Sequence, residues 1–176
     1  MQYFYKIYKS PIGQIYLVSD GASLRALTFS SNWKLFKDKF PGLMLADSSL
    51  FRLVFKQLDQ YFAGRRKQFS IPYVLNGTEF QESTWRSLLK ISYGSTCSYS
   101  EQAKMIKRPK AMRAVGTANS KNPLCIIVPC HRVTRAGDKL GGYAGGLFRK
   151  QFLLKLEASN RETADRSYVD LNSWNK

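Results

Sequence analysis

A chain of 176 residues with 44% apolar and 14% aromatic residues can bury a sizeable core, which excludes a disordered segment. Its 28 Lys and Arg against 12 Asp and Glu leave a formal charge of +16, an excess that fits a polyanionic partner, nucleic acid before anionic membrane. Three cysteines without a CxxC pair and a single histidine speak against a disulfide framework and a structural zinc site, and fit a reducing compartment. Residues 1–6 are no signal peptide, and no run approaches membrane-spanning length.

Residues 3–8 alternate loosely up to a turn at Ser10-Pro11-Ile12-Gly13. Segments 14–18 and 24–29 read as strands on either side of Asp20-Gly21, so the chain opens as an antiparallel meander. Leu50, Leu53, Val54, Leu58, Tyr61 and Phe62 recur at helical spacing and predict a helix over 48–62, capped by Asp47 or Ser48 and ended by Gly64. Arg65-Arg66-Lys67 reads as a solvated turn, 68–74 as a last strand and Asn76-Gly77 as a boundary.

A helix starting at Thr78 or Glu79 runs to around Lys90, with Phe80, Trp85, Leu88 and Leu89 inward. Ser98 and Glu101 form a capping box ahead of a short helix over 102–106. Lys107-Arg108-Pro109 breaks it, and Pro109 opens a second helix over 110–119, packed through Met112, Ala114, Val115 and Ala118. With Lys107, Arg108, Lys110 and Arg113 around the second helix, the pair has the pattern of a helix-turn-helix, although many helical hairpins bind nothing.

Ile126-Ile127-Val128 is an apolar run ended by Pro129, which predicts a short buried strand that delivers Cys130, His131 and Arg132 to its end. A thiolate is a soft nucleophile, and a base or positive surroundings raise its fraction at neutral pH. On their own, His131 reads equally well as a satisfied structural histidine, and Glu157 reads as a surface helix carboxylate. Gly137-Asp138 is a bend. The glycine-rich stretch 141–146 permits close backbone approach to a ligand and equally suits a mobile linker. A final helix spans 148–157 with Phe148, Phe152, Leu153 and Leu156 inward, and 160–176 is a polar tail that frays.

Pro129-Cys130-His131-Arg132-Val133 resembles the active-site signature of the O6-alkylguanine-DNA alkyltransferases. Tyr99, Arg113-Ala114-Val115-Gly116 and Asn122-Pro123 lie upstream in register; Gly141-Gly142-Tyr143 and 153–157 lie downstream. The resemblance covers residues 78–158 and implies an α+β fold. A small N-terminal antiparallel-sheet, RNase H-like domain (1–76) would pack on a mostly helical domain with a helix-turn-helix (77–160), followed by a tail (161–176). It implies DNA repair by irreversible single-turnover transfer of an alkyl group from O6-alkylguanine, and less well from O4-alkylthymine, in duplex DNA to Cys130, with the base flipped out. It also implies no cofactor, no metal and no membrane. The protein would be a monomer able to assemble cooperatively on DNA, cytoplasmic and nucleoid-associated in a prokaryote or nuclear in a eukaryote.

By the same resemblance, His131 activates Cys130 through a water, Glu157 orients His131, and Asn122 ties the recognition helix to the active-site strand. Tyr99 helps rotate the nucleotide and hydrogen-bonds guanine N3, offsetting charge on the leaving base. Arg113 is the finger that fills the vacated stack from the minor groove, while Ala114, Val115 and Gly116 let the helix approach the DNA backbone. The carbonyls of Cys130 and Val133 accept from the guanine amino group, Tyr143 walls the pocket, the Ala144 N–H faces O6, and Arg132 makes a structural salt bridge.

Three positions depart from the family pattern: Ala144 stands where some members have serine, Cys125 where proline is common, and Asn119 where an apolar residue is usual. The change at Cys125 implies a reshaped pocket edge. Rival readings are an alkyltransferase-like lesion-binding module, a helix-turn-helix regulator and a cysteine hydrolase. The retained Cys130 argues against the first, the short chain against the second, and the adjacency of nucleophile and base together with the +16 charge against the third.

Overall fold

The computed structural model describes residues 2–161, so all but the first residues of the expected tail lie outside them. The chain forms two compact units, one of Met1–Asn76 with Pro123–Ile127, the other of Gly77–Asn122 with the chain from Val128 onward. Pro123–Ile127 therefore belongs to the first unit, whereas the sequence alone places it with the second.

The first unit opens with β1 (Phe4–Ser10), β2 (Gly13–Ser19) and β3 (Leu24–Phe29), the expected antiparallel meander. Gly13, at φ 104°, closes the first turn, where Ser10 Oγ accepts from Ile12 N at 3.2 Å. The second turn is held by Asp20, whose carboxylate accepts from the N–H groups of Ala22 (3.0 Å) and Ser23 (2.8 Å) and from Arg25 Nε (2.6 Å). Burial alone would raise the Asp20 pKa, but these donors hold it below the usual value.

Ser30–Lys37 then forms α1, which the sequence reading leaves unassigned because its buried residues are only Asn32 and Phe36. Trp33 on this helix stacks on Tyr16 at 4.5 Å. Met44–Leu45 adds β4 parallel to β1, giving the sheet order β3-β2-β1-β4. Helix α2 (Ser49–Phe62) is capped by Ser48, which accepts from Phe51 N at 3.2 Å, and it buries Leu50, Phe51, Val54, Leu58 and Tyr61. The expected strand over 68–74 shrinks to a single bridge between Tyr73 and Leu24. Pro72 lies in its middle without an N–H, so no continuous ladder can form.

In the second unit, α3 (Glu79–Leu88) begins with a capping box between Thr78 and Gln81. Trp85 is buried, and its indole N–H donates to Ala118 O at 2.8 Å. Leu89, expected inward, follows the last helical turn and is 44% exposed. Ser98 caps α4 (Tyr99–Met105), with Glu101 returning the bond to Ser98 N at 2.6 Å. The helix ends in a Schellman turn: Arg108 N bonds Ala103 O at 2.9 Å and Lys107 N bonds Lys104 O at 2.9 Å, with Lys107 at φ 57°. That turn carries Pro109 outside any helix, so α5 starts at Met112 (Met112–Ser120) rather than at 109 or 110. Val115 and Ala118 face the core as expected, but Met112 and Ala114 are exposed.

The run 126–128 is buried but is not a strand. Ile127 N bonds Cys125 O at 2.9 Å around Ile126 at φ 72°, a tight three-residue turn that β-branched residues seldom adopt. A second such turn follows at Pro129 (φ −84°, ψ 66°), where Cys130 N bonds Val128 O at 2.9 Å. Cys130–Arg132 makes one 3-10 turn, and β6 (Val133–Thr134) pairs in parallel with β5 (Cys97–Ser98). The unit closes with α6 (Leu147–Ser159). This helix buries Lys150, Leu153, Leu154 and Glu157, while Phe148, expected inward, is 68% exposed. Among the described residues no helix is long and apolar enough to cross a membrane.

Candidate active site and nucleic-acid interface

The short β5–β6 ladder decides what faces Cys130. It pairs Cys97 with Val133 and Ser98 with Thr134, so the residue that follows Ser98, Tyr99, comes close to the chain that leaves the Cys130 turn. Cys130 itself is 6% exposed and opens on a cavity of about 420 Å³. Tyr99 lines one side, Gly116, Asn119 and Ser120 of α5 another, and the loop residues Gly142, Tyr143 and Ala144 complete it. The Tyr99 hydroxyl donates to Gly142 O at 3.3 Å. Burial and the nearby Cys130 raise the Tyr99 pKa, so its hydroxyl stays protonated.

Asn122 holds the Cys130 thiol. Its Nδ2 donates to Val128 O at 2.7 Å and to Cys130 Sγ at 3.1 Å. The same amide thereby ties the segment after α5 to the turn that carries Cys130.

His131 is fully buried, with Nε2 2.9 Å from Glu157 Oε1. Burial pushes its pKa below the usual value despite the attraction of Glu157, so the imidazole is neutral at pH 7. Burial works in the opposite sense on Glu157, but His131 and Arg132 outweigh it and keep the carboxylate ionised. The proton therefore sits on Nε2 and is donated to Glu157. Nδ1 is left as a basic lone pair, buried and without a hydrogen-bond partner among the described residues.

Glu157 is shared further. Arg132 approaches it with Nε (2.8 Å to Oε2) and Nη2 (3.0 Å to Oε1), and Gly94 N donates to Oε2 at 3.0 Å. Arg132 Nη1 also donates to Ile91 O at 2.6 Å, so its guanidinium makes the structural salt bridge expected of it.

Lys150 belongs to no motif legible in the sequence. It is fully buried on α6 and donates to Val133 O at 2.6 Å and Gly141 O at 3.3 Å. Burial lowers its pKa to about 8, an effect opposed by attraction to Cys130, so a largely charged ammonium sits within electrostatic reach of the thiol at neutral pH. The signal was present as an i, i+3, i+4, i+7 stripe of Lys150, Leu153, Leu154 and Glu157, hidden because two of its members are charged.

The remaining candidates separate by exposure. Arg113 and Ala114 face outward on α5, beside the exposed Lys107, Arg108 and Lys110. Val115 does not join them: it is fully buried in the core, so its side chain cannot meet DNA. Val133 is buried outside the cavity lining, and its carbonyl is engaged by Lys150. Cys125 does not edge the cavity; its N–H donates to Leu27 O at 2.9 Å, a bond that a proline could not make. Burial, and then the nearby Glu101, raise the Cys97 pKa to about 11, so its thiol stays protonated at neutral pH. Among the described residues no cluster of three His, Cys, Asp or Glu side chains could hold a metal.

A sheet unit, and a helical unit in which Cys130, next in sequence to the buried His131–Glu157 pair, opens onto a cavity lined by a basic helix, define an α+β protein with a cysteine site. Two family descriptions match it: "6-O-methylguanine DNA methyltransferase, ribonuclease-like domain" over residues 3–75 and "6-O-methylguanine DNA methyltransferase, DNA binding domain" over 79–159. The chain belongs to the 6-O-methylguanine DNA methyltransferase family. A methylated-DNA–protein-cysteine methyltransferase of Methanosarcina acetivorans is 49% identical over 156 residues, covering 89% of this chain and 99% of that protein. The crystal structure of Mycobacterium tuberculosis O6-methylguanine methyltransferase superposes with a TM-score of 0.82 at 41% identity, covering 92% of this chain and 96% of the other. A structure of the M. tuberculosis protein OGT in complex with DNA gives 0.79 at 41% identity, covering 93% and 96%.

Proposed function

We propose that the protein repairs O6-alkylguanine in duplex DNA by moving the alkyl group to Cys130 in a single turnover. The observation that carries this reading is the Cys130 thiol at the base of a cavity with room for a purine, walled on one side by the helix that presents Arg113. A base inside the duplex cannot reach that thiol, so the nucleotide must leave the stack, at about a few kcal/mol for unstacking and unpairing. Arg113 fills the gap, and Lys107, Arg108 and Lys110 hold phosphates. The relative of known structure in complex with DNA supports DNA as the partner.

Transfer is a displacement at saturated carbon. The Cys130 proton leaves toward His131 Nδ1, whose acceptor form is fixed by the bond from Nε2 to Glu157. Sγ then bonds the alkyl carbon as the carbon–O6 bond breaks, and the electron pair stays with guanine. Tyr99, kept protonated, donates to N3 of the leaving base, where negative charge develops. Lys150 keeps positive potential near the thiolate. The Cys130 thiolate is a poor leaving group from the alkyl carbon of an uncharged thioether, so the product persists and each molecule acts once. The protein works as a monomer wherever the genome lies, the nucleoid or the nucleus.

The test is stoichiometry. Increasing amounts of a duplex with one O6-methylguanine are given to a fixed amount of protein, and restored guanine is counted. Restoration that stops at one per protein, and is absent in Cys130→Ser, supports the reading. Tight binding without restoration would replace it with lesion recognition.

A further inference from the structure

The α4–α5 contact contains a buried polar pair that the transfer scheme leaves unused. Gln102 is fully buried on α4, and Asn119 is nearly so at the end of α5. Their carboxamides face each other: Asn119 Nδ2 donates to Gln102 Oε1 at 2.7 Å, and Gln102 Nε2 donates to Asn119 Oδ1 at 3.3 Å. Gln102 Nε2 also reaches α3, at 3.1 Å from both Thr84 O and Ser87 Oγ. One side chain thus joins three helices. Packing alone does not require amides here, since an apolar pair of similar volume would fill the space without polar groups to satisfy.

Position along the helices gives the pair a further consequence. Gln102 lies three residues after Tyr99, and Asn119 three after Gly116, so each couple shares one helix face. Tyr99 and Gly116 are also neighbours, since a Cβ on Gly116 would lie 3.6 Å from Tyr99 Cε1. The Tyr99–Gly116 and Gln102–Asn119 contacts are therefore successive rungs of one interface. Of these four residues, Tyr99, Gly116 and Asn119 line the Cys130 cavity. A van der Waals contact to a glycine allows sliding, whereas two reciprocal amide bonds fix both the register and the rotation of α4 against α5.

We propose that Gln102 and Asn119 are positioning residues for the transfer reaction: their amide pair sets where the Tyr99 hydroxyl points in the cavity. The inference rests on Cys130 being the alkyl acceptor and Tyr99 a hydrogen-bond donor to the leaving base.

The test is a cycle with Tyr99→Phe in two backgrounds, wild type and Gln102→Leu/Asn119→Leu, read as the maximal single-turnover rate on O6-methylguanine duplex, with DNA affinity and melting temperature measured alongside. The double leucine variant leaves neither amide stranded on the other. Tyr99→Phe slows the wild type about 10²-fold, as loss of one donor to developing charge does. In the leucine background, where the hydroxyl is already misplaced, the same change slows transfer by less than about tenfold, because coupled sites are not additive. Because the maximal rate is read at saturating duplex, a change in affinity leaves the comparison intact. An equal Tyr99→Phe effect in the two backgrounds would overturn the proposal and leave the pair a packing element. No effect of Tyr99→Phe in the wild type would overturn the reading of Tyr99 and this proposal with it. Failure of the wild type to transfer would instead remove the functional reading itself. Should the double variant not fold, Asn119→Ser, too short to reach Gln102, carries the same cycle.

Discussion

His131 Nε2 and Glu157 Oε1 lie 2.9 Å apart with both side chains fully buried, so the carboxylate determines which imidazole nitrogen bears the proton. Glu157→Gln keeps the shape but turns the acceptor at His131 into an amide that can donate. The tautomer reverses and Nδ1 stops being a base. Transfer should slow by about 10²–10⁴-fold, the range for a general base placed out of use. Arg132 would also lose its buried counter-charge, at about 3–5 kcal/mol. Single-turnover rates and urea unfolding measure both effects; an unchanged rate would mean that His131 does not take the thiol proton.

Gly141 shows how closely the loop fits Tyr99. A Cβ built there would lie 2.8 Å from Tyr99 Cε2 and 2.9 Å from its hydroxyl oxygen. Gly141→Ala therefore displaces the ring or the loop, and overpacking of this kind costs about 1–3 kcal/mol. The expected outcome is a modest drop in melting temperature with a larger drop in transfer rate than Gly142→Ala produces, since nothing lies within 4 Å of a Cβ at Gly142. Equal behaviour of the two variants would show that the Tyr99 contact is unimportant.

Stability should fall on acidification, and the direction follows from two buried groups. Burial holds the folded-state pKa of His131 below its ordinary 6.5, so the unfolded chain takes up that proton first and stability declines as the pH falls below about that value. The Glu157 pKa is held below its ordinary 4.5, mainly by His131 and Arg132 against the opposing effect of burial; its contribution is complete above that value and lost as the pH falls further. Both effects have the same sign. Denaturant midpoints at pH 7, 6, 5 and 4 should decrease in order; a flat series would contradict the burial of a neutral His131.

Arg113 is exposed and sits on the outer face of α5, so Arg113→Ala should leave the melting temperature unchanged. Binding to duplex should weaken, and repair should weaken more than binding if the side chain replaces a flipped base. Affinity should also fall linearly with the logarithm of salt concentration, with a slope of about −0.9 per phosphate neutralised. Filter binding across a salt series tests both points; a slope near zero would contradict the electrostatic role of the basic helix pair.

The sequence was most legible where local chemistry and pattern agree. The meander announced itself through Pro11-Ile12-Gly13 and Asp20-Gly21, and the caps at Ser48, Thr78 and Ser98 fall where side-chain oxygens precede apolar periodicity. The site was legible as a resemblance around Cys130, and its partners Asn122, His131 and Glu157 do converge in space. What escaped depends on non-local contacts. The 126–128 run carries every signal of a strand, yet it folds into tight turns that leave its apolar side chains buried and bring Cys130 N to Val128 O. Lys150 by itself carries no signal of its burial, because its partners, the carbonyls of Val133 and Gly141, are backbone atoms with no signature in sequence. Asn119 looked like a departure from an apolar norm, and only its pairing with Gln102 explains it.

The central claim is that the Cys130 sulfur becomes the permanent carrier of the alkyl group. Intact-protein mass spectrometry after incubation with a duplex containing one O6-methylguanine, followed by mapping of the peptides, tests it directly. The account predicts a gain of about one methylene in mass, on the Cys130 peptide alone, with Cys97 and Cys125 unmodified. An unchanged mass despite complete binding of the duplex, or the added group on another residue, would contradict it.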